Sequence, residues 1–314
     1  RGLIAVTMLD GDGGGEHLLG GLGYGRMVLR CLGRSDACLA PFDPATTIAG
    51  SFAVRVHLLD AGCASNGATA RGLEREIGRE LWRLLPQPRV DLERPDTEVH
   101  VFVTAGGLWW GRPFRRMDGR GFAARHPQRR PFWRSIAMAP RKARCLVNLS
   151  GVRPGGSLLD PFCGTGSIPI EAALLGLRTI ASDVDPAVVA GAARNVASLG
   201  LHQQIDLRHL DARSWGGPRL RFDAIVSDLP YGRSASTKGT DRGDLYRSFL
   251  DVAAEILRPG GRAVLMAAEG TLPAPPSPLE VVARFSEVVH GGLTREVVVL
   301  GKPGDRSGSD IGWG

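Results

Sequence analysis

Ser157-Leu158-Leu159-Asp160-Pro161-Phe162-Cys163-Gly164-Thr165-Gly166-Ser167 indicates the fold class of this chain more clearly than any other segment. Its first four residues predict a short buried strand, and the apolar residues from Ile168 to Leu177 predict a helix after the glycine-rich loop. A strand, a tight loop and a helix in this order are typical of an α/β fold with a mostly parallel, Rossmann-like sheet. Gly164 and Gly166 allow the backbone to approach a ligand closely at the start of the helix.

A glycine loop after a strand also occurs in dinucleotide-binding enzymes, so the loop alone does not fix the ligand. Two features argue against a nicotinamide dinucleotide. Pro169 stands where the third glycine of the dinucleotide fingerprint belongs. Asp160 stands directly before the loop, where its carboxylate would repel a pyrophosphate but attract the ammonium group of a methionine moiety.

An acidic residue also follows the next predicted strand, residues 178–182. Asp183 stands at the tip of this strand, where α/β nucleotide sites place the carboxylate that binds ribose hydroxyls. Val184 beside it can pack on a planar base. Asp185, by contrast, is predicted to cap a helix over residues 187–199, because an aspartate followed by a proline is typical of a helix start.

The third predicted strand, residues 205–210, ends in Asp211 and Ala212, a place suited to the edge of an adenine. A single acidic strand end is more often a helix cap or a solvated turn. Three such ends in succession, at Asp160, Asp183 and Asp211, predict one nucleoside-binding edge of the sheet, because the carboxyl ends of parallel strands meet there.

A fourth strand-like run, residues 222–226, leads into Ser227-Asp228-Leu229-Pro230-Tyr231-Gly232. This loop suits the binding of a planar exocyclic amine. The Asp228 carboxylate and the Leu229 carbonyl can each accept a hydrogen bond from the amine, and the Tyr231 ring can stack on the base. Two acceptors direct the lone pair of the nitrogen out of the ring plane, towards a methyl donor. The loop therefore predicts methylation of an amino group on a nucleobase.

The two loops together resemble those of the S-adenosylmethionine-dependent amino-methyltransferases of RNA and DNA. More narrowly, the chain resembles the archaeal tRNA guanosine-10 N2-methyltransferases, in which a THUMP domain precedes a Rossmann-like catalytic domain. The resemblance covers roughly the last two-thirds of the chain well and the first fifty or so residues poorly. Outside the two loops it rests on His126-Pro127, Arg130-Pro131-Phe132, Met138 to Arg144, Val147-Asn148-Leu149 and Leu293-Thr294-Arg295.

The resemblance implies S-adenosyl-L-methionine as cofactor, tRNA as substrate and no metal. The residues implied in cofactor binding are Asp160, Phe162, Gly164, Thr165, Gly166, Asp183, Val184, Asp211 and Ala212. The catalytic loop that holds guanine is Asp228, Leu229, Pro230 and Tyr231. Leu229 departs from the commoner proline of the family, which keeps the carbonyl acceptor but loses a fixed φ angle, so we expect a less rigid loop.

A chain of 314 residues suits two or three domains. We expect a poorly specified N-terminal ferredoxin-like lobe, a THUMP domain, a basic linker, the methyltransferase domain and a mobile tail. The N-terminal lobe is expected over residues 1–50, the THUMP domain over 51–105 and the basic linker over 106–134. The methyltransferase domain is expected over residues 135–302 and the mobile tail over 303–314.

The predicted THUMP domain has a signature of its own. Residues 51–57 alternate like a strand, and residues 71–85 have helical periodicity. Val90-Asp91-Leu92-Glu93-Arg94-Pro95-Asp96, followed by an apolar strand, resembles the signature of THUMP domains, which are tied to the 3′ end of tRNA. The alternative is a small α/β domain with a Pro-Asp turn. In both cases Asp91 and Asp96 are expected to be structural.

The chain carries a net charge of +7, which suits a polyanionic partner. Between residues 109 and 144, arginines are interleaved with aromatic residues. A charge run is usually a solvated face, but this interleaving favours a surface that contacts RNA. The cations predicted there are Arg112, Arg115, Arg116, Arg130, Arg134, Arg141 and Lys142. Arg295 in the last hairpin is predicted to contact an RNA phosphate or to lie on the surface.

The end of the chain completes the predicted sheet. Residues 244–257 predict a helix and residues 262–268 a fifth strand. Residues 281–285 are predicted to be helical. Residues 287–290 and 296–300 are predicted to form the closing antiparallel hairpin of this fold.

Composition favours a cytoplasmic protein without a membrane span or a secretory signal. The five cysteines are scattered without a Cys-x-x-Cys pair, which predicts reduced thiols, and Cys163 is interpreted as a packing residue. Nothing in the sequence requires a protein partner. Arg1 in place of a methionine predicts that the natural start is missing. The polar residues 233–243 are predicted to form a lid that orders on RNA binding.

Three alternatives remain open from the sequence. The first is a THUMP methyltransferase acting on another guanine of tRNA or ribosomal RNA, although the carboxylate of Asp228, in place of the asparagine of such relatives, favours guanosine 10. The second is methylation of DNA adenine, which the THUMP-like segment argues against. The third is a non-catalytic RNA-binding protein, which the intact acidic strand ends argue against.

Overall fold

The computed structural model describes residues 27–35, 42–59, 69–104, 107–116, 119–217, 220–231, 241–290 and 293–304. The chain divides into two compact units, with the main boundary between Asp118 and Gly119. Each unit has its own sheet and its own apolar core. Most of the predicted N-terminal lobe, most of the predicted lid over residues 233–243 and most of the predicted tail lie outside the described residues.

The first unit is built on a five-stranded sheet in the order β1-β5-β4-β2-β3. Its strands are β1 (Met27–Ser35), β2 (Ser51–Leu58), β3 (Arg89–Val90), β4 (Thr97–Thr104) and β5 (Gly107–Arg116). Its helices are α1 (Pro44–Thr47) and α2 (Ala70–Leu84). The strands β2, β3 and β4 are parallel, whereas β5 is antiparallel to both of its neighbours.

The helix α2 covers this sheet with one apolar face, as its periodicity predicts. Thr69 caps its start by accepting a hydrogen bond from the amide of Gly72 at 3.0 Å. Ile77 and Leu81 are buried in the core of the unit. Leu84, the last residue of the helix, is 54% exposed.

Asp91 and Asp96 are structural, as predicted. The carboxylate of Asp91 accepts hydrogen bonds from the amides of Glu93 and Arg94, both at 2.9 Å. The carboxylate of Asp96 accepts hydrogen bonds from the amide and the hydroxyl of Ser51 at 2.7 and 2.8 Å. These bonds shape the turn before β4 and fasten it to the start of β2.

The boundary between the units differs from the predicted linker over residues 106–134. Residues 107–116 are the strand β5, which pairs with both β1 and β4. Trp110, one of the aromatic residues of the predicted linker, is buried in the core of the first unit. Residues 119–134 belong to the second unit. The arginine and aromatic residues between 107 and 116 therefore belong to a strand and not to a linker.

The second unit has a seven-stranded sheet in the order β11-β12-β10-β9-β6-β7-β8. Its strands are β6 (Ser157–Asp160), β7 (Arg178–Asp183), β8 (Ile205–His209), β9 (Phe222–Asp228), β10 (Leu257–Ala268), β11 (Glu280–His290) and β12 (Leu293–Gly301). Its helices are α3 (Gly119–Ala124), α4 (Pro140–Leu149), α5 (Ser167–Ala173), α6 (Pro186–Ser198) and α7 (Arg242–Ile256), with 3₁₀ turns at Pro127–Arg129 and Ala212–Ser214.

The predicted Rossmann-like sheet with a closing antiparallel strand is confirmed. The five strands β6 to β10 are parallel, and β12 is antiparallel to both of its neighbours. From β6 the chain proceeds outward to β7 and β8, then returns to β9 on the other side of β6. The order of the strands thus reverses between β6 and β9. In open α/β sheets, ligands bind at the carboxyl ends of the strands beside such a reversal.

The predicted helix over residues 281–285 is wrong. These residues are part of β11, which pairs with β12 from Glu280 opposite Gly301 to His290 opposite Leu293. A short apolar run does not distinguish a strand from a helix by its periodicity. The β-branched valines of this run favour a strand, and pairing with β12 decides it.

A buried ion cluster fastens the residues after Gly119 to the second unit. Glu171 on α5 is 0% exposed. It accepts two hydrogen bonds from Arg125, at 2.8 and 3.1 Å, and Arg144 on α4 lies 2.8 Å from it. Burial lowers the pKa of the Arg144 guanidinium, and the carboxylate of Glu171 opposes that shift.

Arg130, predicted to contact RNA, lies in the same buried region. It is 6% exposed and donates hydrogen bonds to the carbonyl of Arg125 and the hydroxyl of Ser167, both at 2.9 Å. Burial lowers its pKa to about 10. The prediction of Arg130 as an RNA contact is therefore wrong, because its guanidinium faces the interior.

Replacing Glu171 with glutamine is expected to lower the free energy of unfolding by about 3–5 kcal/mol, because the buried guanidinium of Arg144 and the half-buried guanidinium of Arg125 then lack a counter-charge. Urea denaturation followed by tryptophan fluorescence measures this loss. The matched control is Asp206→Asn, which breaks an exposed pair with Arg208 and is expected to cost less than about 1 kcal/mol. Equal losses of unfolding free energy in the two variants would show that the buried ion cluster does not stabilise the second unit.

Candidate active site at the carboxyl edge of the second sheet

The acidic residues predicted to form one site do lie along one edge of the sheet. Asp160, Asp183 and Asp228 end the parallel strands β6, β7 and β9, and Asp211 follows β8. The hydroxyl of Ser227, the residue before Asp228, donates a hydrogen bond to the Asp160 carboxylate at 2.5 Å. The glycine-rich loop and the Asp228 loop therefore border a single site.

Asp160 presents a buried oxygen that nothing in the described part of the chain satisfies. One carboxylate oxygen accepts hydrogen bonds from the Ser227 hydroxyl and, at 3.3 Å, from the Phe162 amide. The other oxygen is buried and has no hydrogen-bond partner among the described residues. Burial raises the pKa of Asp160 to about 8. An ammonium group of a ligand would satisfy the orphaned oxygen and stabilise the ionised carboxylate.

The glycine-rich loop has the backbone conformation that its glycines allow. Gly164 and Gly166 have φ angles of +51° and +85°, in the left-handed region. A Cβ atom at Gly164 would project into open space, so this position needs glycine for its conformation and leaves room beside the loop. The amide of Gly164 donates to the Asp183 carboxylate at 3.1 Å, which joins the loop to the tip of β7.

Asn195 holds the other side of this loop, a role that the sequence analysis missed. Its side-chain amide donates to the Thr165 carbonyl at 2.9 Å and to the Phe132 carbonyl at 2.7 Å. Its oxygen accepts a hydrogen bond from the Phe132 amide at 2.9 Å. Asn195 is 0% exposed on the face of α6 that also buries Ala192. The sequence signal that could have revealed this role is a polar residue on the apolar face of a predicted helix.

Asp183 ends β7 at the carboxyl edge of the sheet. It accepts hydrogen bonds from the amides of Gly164 and Asp185, the second at 3.0 Å. Asp185 caps α6, as predicted, by accepting a hydrogen bond from the Ala187 amide at 2.9 Å. Burial raises the pKa of Asp183, and the two amides oppose that shift.

Asp183→Ala is expected to weaken binding of an adenosyl ligand by about 10-fold to 100-fold, the usual loss for a charge-assisted pair of hydrogen bonds. Calorimetric titration with S-adenosylhomocysteine measures it. Asp206→Ala, on the neighbouring strand β8 but exposed, is the control. Unchanged affinity in the Asp183 variant would exclude a ribose contact.

Asp211, which follows β8, has hydrogen-bond partners within its own turn. The Asp211 carboxylate accepts hydrogen bonds from the amide and the guanidinium of Arg213, at 2.7 to 3.0 Å. It thereby caps the 3₁₀ turn in which Ala212 is buried. His209 approaches the Val184 carbonyl at 3.1 Å, which joins the tips of β7 and β8. An adenine contact through Asp211 and Ala212 stays a prediction.

The described part of the Asp228 loop is anchored at Leu229 and Pro230. The amide of Leu229, which a proline would lack, donates to the Met266 carbonyl at 2.9 Å. The Leu229 side chain is 0% exposed in the apolar core. The Pro230 carbonyl accepts a hydrogen bond from the Tyr246 hydroxyl at 2.7 Å. The lower rigidity expected from the loss of proline stays a prediction.

Arg295 lies inside this loop rather than on the surface. Its side chain is 5% exposed and forms a two-pronged ion pair with Asp228, one prong measuring 3.3 Å. Its guanidinium carbon lies 3.8 Å from the centroid of the Tyr231 ring. Burial raises the pKa of Asp228, and Arg295 opposes that shift. The prediction of Arg295 as a surface contact for RNA is wrong, because β12 turns the side chain towards Asp228.

The other cations predicted to contact RNA have partners within their own units. The exposed ones are Arg112, which donates to the Thr47 carbonyl, and Arg134, 3.6 Å from Asp185. The half-buried ones are Arg141, over the Phe122 ring, and Lys142, 2.7 Å from Glu287. The side chains of Arg115 and Arg116 lie outside the described residues.

Within the described ranges, no three histidine, cysteine, aspartate or glutamate side chains form a cluster that could hold a metal ion. In the same part of the chain, no helix has the length and apolar character needed to cross a membrane. Cys163 in the glycine-rich loop is buried, as a packing residue would be, and burial raises the pKa of its thiol.

Comparison with known proteins agrees with this geometry. The model of the family UPF0020, the RMKL-like methyltransferase domain, matches residues 127–287. A tRNA (guanine(10)-N2)-dimethyltransferase of Methanothermobacter thermautotrophicus is 38% identical over 255 residues, which cover 80% of this chain and 73% of that protein. One of the same name from Pyrococcus abyssi is 34% identical over 81% of this chain and 74% of that protein.

Among solved structures, TrmN from Thermus thermophilus resembles the chain with a TM-score of 0.50 and 28% identity, over 94% of this chain and 88% of that one. The orphaned oxygen of Asp160 and the left-handed glycines fit the methionine and adenosyl parts of S-adenosylmethionine. The chain belongs to the RMKL-like methyltransferase family and to the same family as these tRNA (guanine(10)-N2)-dimethyltransferases, and S-adenosylmethionine is its methyl donor.

Proposed function

We propose that the enzyme methylates the exocyclic N2 atom of guanosine 10 in tRNA, forming N2-methylguanosine and, in a second turnover, N2,N2-dimethylguanosine. The observation that carries this proposal is the hydrogen bond of 2.5 Å between Ser227 and Asp160. It joins the loop suited to a methyl donor with the loop suited to an amine, so one methyl group can pass between them. The names of the relatives supply the nucleotide.

When bound, S-adenosylmethionine supplies a methyl group on a positively charged sulfur, which needs no further activation. The protein therefore contributes mainly positioning and charge placement. Asp160 would hold the ammonium group and Asp183 the ribose. The target base must first leave its stack in the RNA to reach the Asp228 loop.

In the transfer step, the lone pair of guanine N2 forms the new bond to the methyl carbon while the carbon–sulfur bond breaks. N2 then gives up one proton. Asp228 and the Leu229 carbonyl orient the amine, and no hydrogen bond to that carbonyl is found among the described residues. Burial of Asp228 makes it a better proton acceptor than an ordinary aspartate, whereas Arg295 opposes that effect.

For the first unit, we propose that residues 51–105 are a THUMP domain that binds the 3′ end of the same tRNA. Support comes from the Val90–Asp96 signature and from the hydrogen bonds of Asp91 and Asp96 that shape it.

The exposed arginines Arg112, in the first unit, and Arg134, in the second, are further candidates for phosphate contacts. An enzyme of tRNA modification would work in the cytoplasm.

The test is to incubate the enzyme with unmodified tRNA transcript and methyl-labelled S-adenosylmethionine, then to map the labelled nucleoside. The proposal expects N2-methylguanosine at position 10. A transcript with adenosine at that position is the matched control and should take up no label. Label on another guanine, of tRNA or of ribosomal RNA, would overturn the assignment of the nucleotide. Cofactor binding without any transfer would favour a non-catalytic protein.

A further inference from the structure

Arg295 makes with the Asp228 loop the two contacts that a target base must make. Two nitrogens of its guanidinium donate to the two carboxylate oxygens of Asp228. The flat guanidinium also covers the face of the Tyr231 ring, with its central carbon 3.8 Å from the ring centroid. Asp228, Leu229 and Tyr231 are named the base site below. Arg295 fills this site in the described structure.

The hydrogen-bonding edge of guanine has the same chemistry as a guanidinium group. Its N1, C2 and N2 atoms form a flat guanidine unit in which N1–H and N2–H point the same way. Such a parallel pair of donors can bind both oxygens of a carboxylate, in the same two-pronged fork geometry that an arginine uses. Adenine and cytosine present one donor beside an acceptor on this edge, and uracil presents one donor between two acceptors. Guanine is therefore the one RNA base that can replace Arg295 at both oxygens of Asp228.

Building on the function proposed above, we propose that Arg295 is a stand-in for guanine: the target base enters by exchanging with Arg295 at Asp228 and Tyr231. The exchange selects guanine, because a base that lacks the paired donors would leave a buried carboxylate oxygen without a partner. Arg295 is thus a specificity-determining residue of the base site.

The surroundings of Arg295 allow it to leave. Its Nε atom is buried and has no hydrogen-bond partner among the described residues, so the contacts found for its guanidinium are those with Asp228 and Tyr231. Glu287 stands directly opposite Arg295 in the pairing of β11 with β12. Residues paired in this way project to the same face of a sheet. Glu287, which now pairs with Lys142, can therefore accept the released guanidinium.

The test uses Arg295→Ala in steady-state methylation of tRNA, measured over a range of alkaline pH because burial raises the pKa of Asp228 and the variant lacks the cation that opposes this shift. In this variant the base enters without an exchange. We expect the KM for tRNA to fall by about 10-fold, because the apparent affinity is no longer reduced by the fraction of enzyme in which Arg295 fills the base site. We expect kcat to stay within a few-fold of the natural enzyme.

Guanidinium chloride at millimolar concentration is the decisive probe. In Arg295→Ala the free ion should occupy the vacated site and inhibit in competition with tRNA, while the natural enzyme should be unaffected. If Arg295 instead supports Asp228 throughout the reaction, kcat of the variant falls by orders of magnitude and the added ion restores activity. Restoration in place of inhibition overturns the proposal.

Two further variants complete the design. Arg284→Ala removes another arginine of the same hairpin, which pairs with Glu296 and not with Asp228, and it should leave both KM and the response to guanidinium unchanged. Arg295→Lys keeps the charge beside Asp228 and serves if the alanine variant does not fold. The lysine variant should also lower the KM, since an ammonium group cannot make the fork. If the natural enzyme transfers no methyl group to tRNA, the proposed function is contradicted. If the natural enzyme is active and guanidinium restores the activity of Arg295→Ala, only the inference about Arg295 is contradicted.

Discussion

Asp228→Ala is expected to reduce methyl transfer to tRNA by about 1,000-fold while leaving tRNA affinity within a few-fold. The variant loses the carboxylate that orients the amine, and orientation and charge placement supply most of the catalysis in such a transfer. Binding of the tRNA rests on many phosphate contacts elsewhere, so it should be nearly unchanged. Single-turnover transfer of labelled methyl measures the first quantity, and fluorescence anisotropy with labelled tRNA measures the second.

The matched control is Asp228→Asn, which keeps the shape and one acceptor oxygen. It should retain more activity than the alanine variant, because its oxygen can still accept one hydrogen bond from the amine. It should also discriminate less against other bases, since the pair of acceptors is gone. Turnover at the natural rate in the alanine variant would remove Asp228 from the reaction.

Asp160→Asn is expected to weaken binding of S-adenosylhomocysteine by about 100-fold. The amide cannot provide the charged acceptor that a buried ammonium group requires, and a charged hydrogen bond contributes about 1.5–3 kcal/mol. Calorimetric titration of the natural enzyme and the variant gives the comparison. Equal affinities would mean that the ammonium group binds elsewhere.

The same residue predicts the pH dependence of cofactor binding. The pKa of Asp160 in the free protein is about 8, so this carboxyl is mostly protonated below that pH. A bound ammonium group favours the ionised form, and binding below pH 8 therefore releases a proton. The affinity should rise by about tenfold per pH unit below pH 8, stop rising once the carboxyl is ionised, and fall again where the ammonium group of the ligand loses its proton. Asp160→Asn should lack this slope, whereas Asp183→Ala should keep it at lower overall affinity.

The parts of the fold that depend on local chemistry could be predicted from the sequence. Acidic residues at the ends of apolar strands placed Asp160, Asp183 and Asp228 at one edge of the sheet, and the order of the strands brings them together. The residues that tie the loops together escaped prediction because their partners are distant in sequence. Ser227 and Asp160 lie 67 positions apart, and so do Arg295 and Asp228. Ser227 was placed in the loop by the sequence, whereas the structure places it in β9 as a buried polar residue.

The basic stretch after residue 109 shows why charge patterns mislead. An arginine on a surface and an arginine in a buried ion cluster have the same local sequence, and only the counter-charge distinguishes them. Arg125 and Arg144 find theirs in Glu171, on a helix that follows later in the chain. In β11 the local pattern was ambiguous, and pairing with β12 decided the conformation.

A crystal structure of the enzyme with S-adenosylhomocysteine and tRNA would give the distance between the sulfur of the cofactor product and N2 of the target guanine. Room for one methyl group between them requires a distance of about 5 Å, with the base against Asp228 and the ammonium group on Asp160. We predict that distance. Cofactor and guanine in separate cavities, too far apart for a single transfer, would contradict the account.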